Sequence, residues 1–190
     1  MSESADTSAV APLALFAAWL HGLGEETRAL CLVLERDDAP ESVRRFAAHA
    51  LNQLLHVADL IPEGIEALGY LEAVFAFRLL AAQACDEQPG LAAEDGSGTI
   101  ARLAADAAPL AEFLGEDYAR LAARVDAQRQ RAARGRSVSD LLDVPETRAE
   151  ALEEARTWAQ GYRHPAFGEG PHDLVKLRAF VRTRVRSAAA

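Results

Sequence analysis

The stretch PESVRRFAAHALNQLLHVA, residues 40–58, decides the fold class. Within it Val43, Phe46, Ala47, Ala50, Leu51, Leu54, Leu55 and Ala58 recur at steps of three and four, the spacing that gathers side chains on one face of an α-helix. Asp38 stands where a cap belongs, and Pro40 suits the first turn, where its missing N–H would have no partner. Glu41 meets the positive end of the helix dipole. A helix with one apolar stripe is stable only against neighbours that offer matching stripes.

Those neighbours are readable on both sides. Tyr70 to about Cys85 is apolar nearly all round, interrupted by Glu72, Arg78 and Gln83, and a helix without a polar face belongs at the centre of a core. Upstream, residues 1–11 read as a disordered start. Pro12 to His21 reads as a helix ended by Gly22 and Gly24, and Glu25 to Arg36 as a second. Downstream, the Gly-, Pro- and acid-rich interval 87–98 reads as a loop or linker. Ile100, Leu103, Ala104, Ala107, Leu110 and Ala111 then share a face that Pro109 should kink or split. Glu116 to about Ala133 follows, with Glu116 four residues before Arg120, then a short turn over Ser137 to Asp143. Pro145 to Tyr162 and Pro171 to Ser187 are each led by proline. The expected fold is an all-α helical bundle of about seven or eight helices. Its portions are 12–86 and 99–190, the second packed on the first.

Composition agrees with this class. Half of the 190 residues are hydrophobic but only 6% are aromatic, the balance of packed alanine- and leucine-rich helices. A net charge of −9 argues against nucleic acid as a partner, because phosphate backbones are held through Lys and Arg. Cys31 and Cys85 lie in apolar helical surroundings without CxxC spacing, which reads as free thiols in a reducing compartment and hence a cytoplasmic location. The uncharged run from Thr7 to Gly24 has acidic flanks and contains Pro12, His21, Gly22 and Gly24, so it reads as a buried helix rather than a leader or a span.

Between the two strongest helices runs Asp59-Leu60-Ile61-Pro62-Glu63, followed by Gly69-Tyr70-Leu71-Glu72. This arrangement resembles the YkvA-like family of unknown function, whose core reads Asp-Leu-Ile-Pro-Asp and then Gly-Tyr-Leu-Asp-Asp between two hydrophobic helices. The resemblance covers residues 43–82; Asp59, Leu60, Ile61, Pro62, Gly69, Tyr70 and Leu71 match directly. Glu63 and Glu72 stand where the family has aspartate, and Ala73 replaces a second acid, so a cation site built on the family's carboxylates would lose a ligand here. The resemblance implies a small α-helical module, alone or attached to other domains and sometimes near membranes, without an established reaction. The residues themselves read as a folded corner. Asp59 caps, Pro62 opens a short turn, Glu63 and Glu66 meet its positive end, and Gly69 releases the chain into the central helix.

Three constellations are candidates for chemistry. Arg45, His49, Asn52 and His56 line the face opposite the apolar stripe, with Asp59 just beyond. With Glu63 and Glu72 these histidines and Asp59 form the candidate set for a divalent metal, although His49 and His56 are two turns apart and a solvated face is the commoner outcome. Glu72, on the most apolar helix, must be paired, protonated or turned to a polar pocket, with Arg44, Arg45, His56 or Arg78 within sequence reach. Arg178, Arg182 and Arg186 at four-residue steps, beside Lys176 and Arg184, are candidates for binding anions, as is the basic stretch from Arg120 to Arg136. Pairing with the chain's own acids competes with both. No phosphate loop, nucleophile elbow or His-Glu-x-x-His stretch occurs, and Ser97 has no evident base. The functional expectation is a non-catalytic helical interaction or scaffold module with a protein partner and no cofactor. The alternatives are peripheral binding to anionic lipid through the C-terminal arginines, and metal or small-ligand binding, or catalysis, on the acidic and histidine set.

Overall fold

The stripe of residues 43–58 forms a helix, and the apolar segment after it forms a buried helix on which most of the others pack. The computed structural model describes residues 3–58, 64–129, 131–167 and 170–187. Among these the order is α1 (Glu3–Glu35), α2 (Glu41–Ala58), α3 (Glu66–Glu87), α4 (Leu91–Glu94), α5 (Thr99–Ala105), α6 (Ala107–Leu114), α7 (Asp117–Gln128), α8 (Val138–Asp143), α9 (Pro145–Gly161) and α10 (Pro171–Ser187). The described residues are all-α; a lone antiparallel bridge joins Ala133 to Arg136 across a turn where Arg134 and Gly135 take φ of 51° and 78°.

On α3, Leu71, Val74, Phe75, Phe77 and Leu79 are sealed from water, each contributing about 1.5–3 kcal/mol by burial. α1, α2, α5, α6, α7 and α10 all pack on α3, and one apolar cluster continues through them. Its aromatic centre is Phe16 of α1, with ring centroids 5.2 Å from Phe75 of α3 and 4.8 Å from Phe113 of α6. α3 is also the one helix among the described residues long and apolar enough to cross a membrane, and most of that window is buried inside the protein.

Several boundaries differ from the sequence reading. There are ten helical segments among the described residues rather than seven or eight. α1 does not break at Gly22 and Gly24; it is a single helix whose first turns fall in the segment read as a disordered start. The reason is packing. At Gly24 an added Cβ would lie 3.3 Å from the Tyr162 ring and 3.4 Å from the Ala159 carbonyl, so the absent side chain lets α9 approach. The seam is then tied, with the Tyr162 hydroxyl donating to the Leu20 carbonyl at 2.8 Å and Arg28 donating to the Ala159 carbonyl at 2.9 Å. α3 starts at Glu66 rather than Tyr70, so Gly69 lies buried inside the helix instead of releasing the chain into it. Pro109 does split its helix, with α5 ending at Ala105 and α6 beginning at Ala107, because proline offers no N–H to continue the ladder.

The interval 87–98 is folded inward. Leu91 of α4 is buried, and the sealed Asp95 carboxylate accepts the Ser97 hydroxyl at 2.7 Å and the Ile100 N–H at 3.1 Å, which starts α5. The short turn after Ser137 is α8, closed by a reciprocal capping box between Ser137 and Asp140.

Candidate functional site

The most apolar helix carries a charge in its driest stretch. Arg78 is fully buried, and its guanidinium grips both oxygens of Glu26 on α1 at 2.9 and 3.1 Å, donates to the Val74 carbonyl at 3.0 Å and lies 3.2 Å from Asp106. The Trp19 ring lies 4.1 Å beneath it. Arg102 adds a second cation on Glu26 at 2.9 Å. Two cations face two anions, so the cluster is neutral, which is the condition for keeping such groups out of water. Only Nε of Arg78 lacks an acceptor. This centre braces α1, α3 and the α5–α6 junction. Glu26 was not singled out from the sequence; the available signal was Arg78, an obligate cation on an apolar helix that required a carboxylate elsewhere.

Glu72 meets neither His56 nor Arg78. It is held by Arg184 of α10 at 3.1 Å and Arg124 of α7 at 3.5 Å, with a tenth of its side chain exposed. Glu72 and the polar stripe of α2 therefore do not join in one network. Leu80, beside the stripe, lies eight residues further along α3, about 12 Å away at the helical rise.

That stripe is solvated only in part, with Arg45 exposed and His49 and His56 half-buried. Asn52 is buried and donates to the carbonyls of Arg131 and Arg136 at 3.1 and 3.3 Å, clamping the segment after α7, and buried Gln53 donates to Gln128 at 2.9 Å. The sequence periodicity marked these positions as polar but could not show that irregular backbone with free carbonyls would lie over them. His49 and His56 share a cavity of about 10 Å³ with Asn52 and Gln128, the room of roughly one water. On its other side His49 borders a cleft of about 340 Å³ over Phe46, Leu80 and Leu91, rimmed by the ion pairs Arg45–Glu41 and Arg129–Glu87. Burial first, then Arg129 and Arg45, push the His49 imidazole down to about 4, so it is neutral at physiological pH. No group of three or more His, Cys, Asp or Glu residues poised for a metal occurs among the described residues. Of the candidate ligands, Asp59 and Glu63 lie outside those residues, as do Leu60, Ile61 and Pro62 of the motif.

The C-terminal arginines lie among acids. Arg182 and Arg120 both hold Asp117, at 2.9 and 3.1 Å, and Arg178 stacks over Phe113 at 4.8 Å. Arg186 lines the same surface groove with Glu112 and Glu116. The expected Glu116–Arg120 pair is replaced by Asp117–Arg120, one residue closer in sequence. In the other basic stretch Arg134 and Arg136 share Glu154, which they hold below the usual carboxylate range.

A different surface remains open. Where the N-terminal turn of α3 passes the C-terminal turn of α9, Glu66, Tyr70, Trp158, Gly161, Tyr162, Arg163 and Pro165 line a groove of about 450 Å³. Trp158 and Tyr162 stack at 4.9 Å and 27°, while Tyr70 stands at 87° to Tyr162, 5.2 Å away, and at 66° to Trp158, 5.8 Å away. All three rings are half-buried. Burial raises both phenols above their ordinary range, so they stay protonated. Glu66 is exposed and accepts the Gly64 N–H at 2.8 Å; this bond, and a further one from its own backbone N–H, hold its carboxyl below the usual range and keep it anionic. The sequence reading took Tyr70 as a motif residue and passed over Trp158 and Tyr162. Their four-residue spacing on an otherwise polar helix was the signal.

No protein-family model, no curated protein and no solved structure matches this chain. The resemblance to the YkvA-like family rests on the motif residues themselves.

Proposed function

We propose that the chain is a non-catalytic, cytoplasmic helical-bundle module that binds a protein partner at the groove between α3 and α9. The observation that carries this reading is the partial exposure of the half-buried Tyr70, Trp158 and Tyr162 together in one concave surface. Elsewhere aromatics such as Phe16, Phe75 and Phe77 are sealed in the core. Tyr and Trp are the residues that concentrate binding energy at protein interfaces, because each supplies a large rigid face with a polar tip. The ionisable groups elsewhere support the same reading: Glu26, Arg78, Glu72 and Asp117 are each engaged by opposite charges that hold helices together. The free thiols Cys31, buried, and Cys85, half-buried, support a reducing compartment.

Selection from a displayed library of short peptides tests the proposal. Peptides enriched on the full chain should lose binding to Tyr70→Ala and Trp158→Leu variants that keep the wild-type helical signal. Failure to enrich any peptide, or enriched peptides that bind both variants undiminished, would remove the groove as the docking surface.

A further inference from the structure

We infer that the groove between α3 and α9 recognises a cationic side chain, arginine or lysine, on an extended segment of the partner. This rests on the docking role proposed above and names the chemistry that fills it. Aromatic faces carry negative quadrupoles that attract a cation, and here the Tyr70 ring stands nearly at right angles to the stacked Trp158–Tyr162 pair, so that the three form a corner instead of a flat patch. The Glu66 carboxylate lies on the same groove, ionised and without an ion-pair partner among the described residues. α9 ends here as well, presenting the negative end of its dipole. The chain's own Arg163 shows the preference of the place: its guanidinium donates to the Gln160 and Tyr162 carbonyls at 3.1 and 3.0 Å, capping that helix end. The net charge of −9 adds long-range attraction for a basic segment. An acidic segment would meet the Glu66 carboxylate, while the lining arginine, Arg163, is turned to the helix-end carbonyls.

The test uses the two tryptophans as paired reporters. Trp158 lines the groove, and Trp19 lies buried beneath Arg78. A capped Gly-Gly-Arg-Gly-Gly peptide is titrated into the full-length protein while both indole N–H resonances are followed by NMR, and the titration is repeated with citrulline, the uncharged isostere, in place of arginine. The Trp158 resonance should move saturably with the arginine peptide while that of Trp19 stays in place. The citrulline peptide should bind about fivefold more weakly or worse, as expected for loss of one cation–π contact. Glu66→Gln should weaken the arginine peptide several-fold, added salt should do the same, and Arg163→Gln, which removes the internal competitor, should strengthen it. If citrulline binds as well as arginine, the groove docks peptides without reading charge, and the inference fails while the docking role survives. If neither peptide moves the Trp158 resonance at concentrations up to about 5 mM, both fail.

Discussion

The middle and the N-terminal end of α3 carry polar side chains under opposite conditions. Arg78, in the middle, has no contact with water, and its guanidinium is matched by two carboxylates, a carbonyl and an aromatic face. Glu66 and Tyr70, at the end, keep contact with solvent; the carboxylate has backbone partners and no ion pair among the described residues. The difference follows from the cost of desolvation. A charge taken out of water must be met from all sides by the protein itself, which fixes it as architecture, whereas a charge at the rim stays hydrated and retains capacity for a ligand. Glu72 lies between the two: partly exposed, and claimed by two arginines from different helices.

The comparison can be broken by mutation. Glu26→Ala leaves Arg78 with the Asp106 carboxylate alone and should cost about 3–5 kcal/mol, read as a lowered urea midpoint; a loss below about 1 kcal/mol would mean that Asp106 or water satisfies the guanidinium. Gly24→Val drives a branched side chain into Tyr162 and the Ala159 carbonyl and should cost about 1–3 kcal/mol by the same measurement. Glu72→Gln, at the intermediate position, should cost roughly 1–2 kcal/mol, less than at Glu26 because Arg184 is a third exposed. The smallest effect concerns His49. Its folded value of about 4 lies below the ordinary 6.5, so the folded state resists protonation. The stability this contributes is complete above pH 6.5 and declines as pH falls toward 4. His49→Phe should flatten that part of the curve of melting temperature against pH, and an unchanged slope would show His49 to be accessible and unperturbed.

The helices were legible wherever apolar periodicity and capping chemistry agreed, as in α2, α9 and α10, and in the split at Pro109. The reading failed at Gly22 and Gly24 because glycine signals a helix end locally, while the close approach of Tyr162 is a contact across the whole chain that local sequence does not encode. The same limit explains the site. Glu72 and Arg78 announced themselves as charges on an apolar helix, but their partners Glu26, Arg124 and Arg184 come from helices whose placement follows from tertiary packing. The polar face of α2 was read as solvated because periodicity reports which residues share a face and not what covers it. The motif residues Tyr70 and Gly69 were found; the aromatic neighbours that give Tyr70 its setting come from α9.

A double-mutant cycle at Glu26 and Arg78, measured by equilibrium unfolding, tests the central claim most directly, namely that charge in the middle of α3 is a cross-brace to α1. Glu26→Leu and Arg78→Met should each be strongly destabilising alone. Together they should recover much of the loss, with a coupling of about 2 kcal/mol or more. Additive losses with no coupling would contradict the account, because the two side chains would then be stabilised independently and the bond between them would hold nothing together.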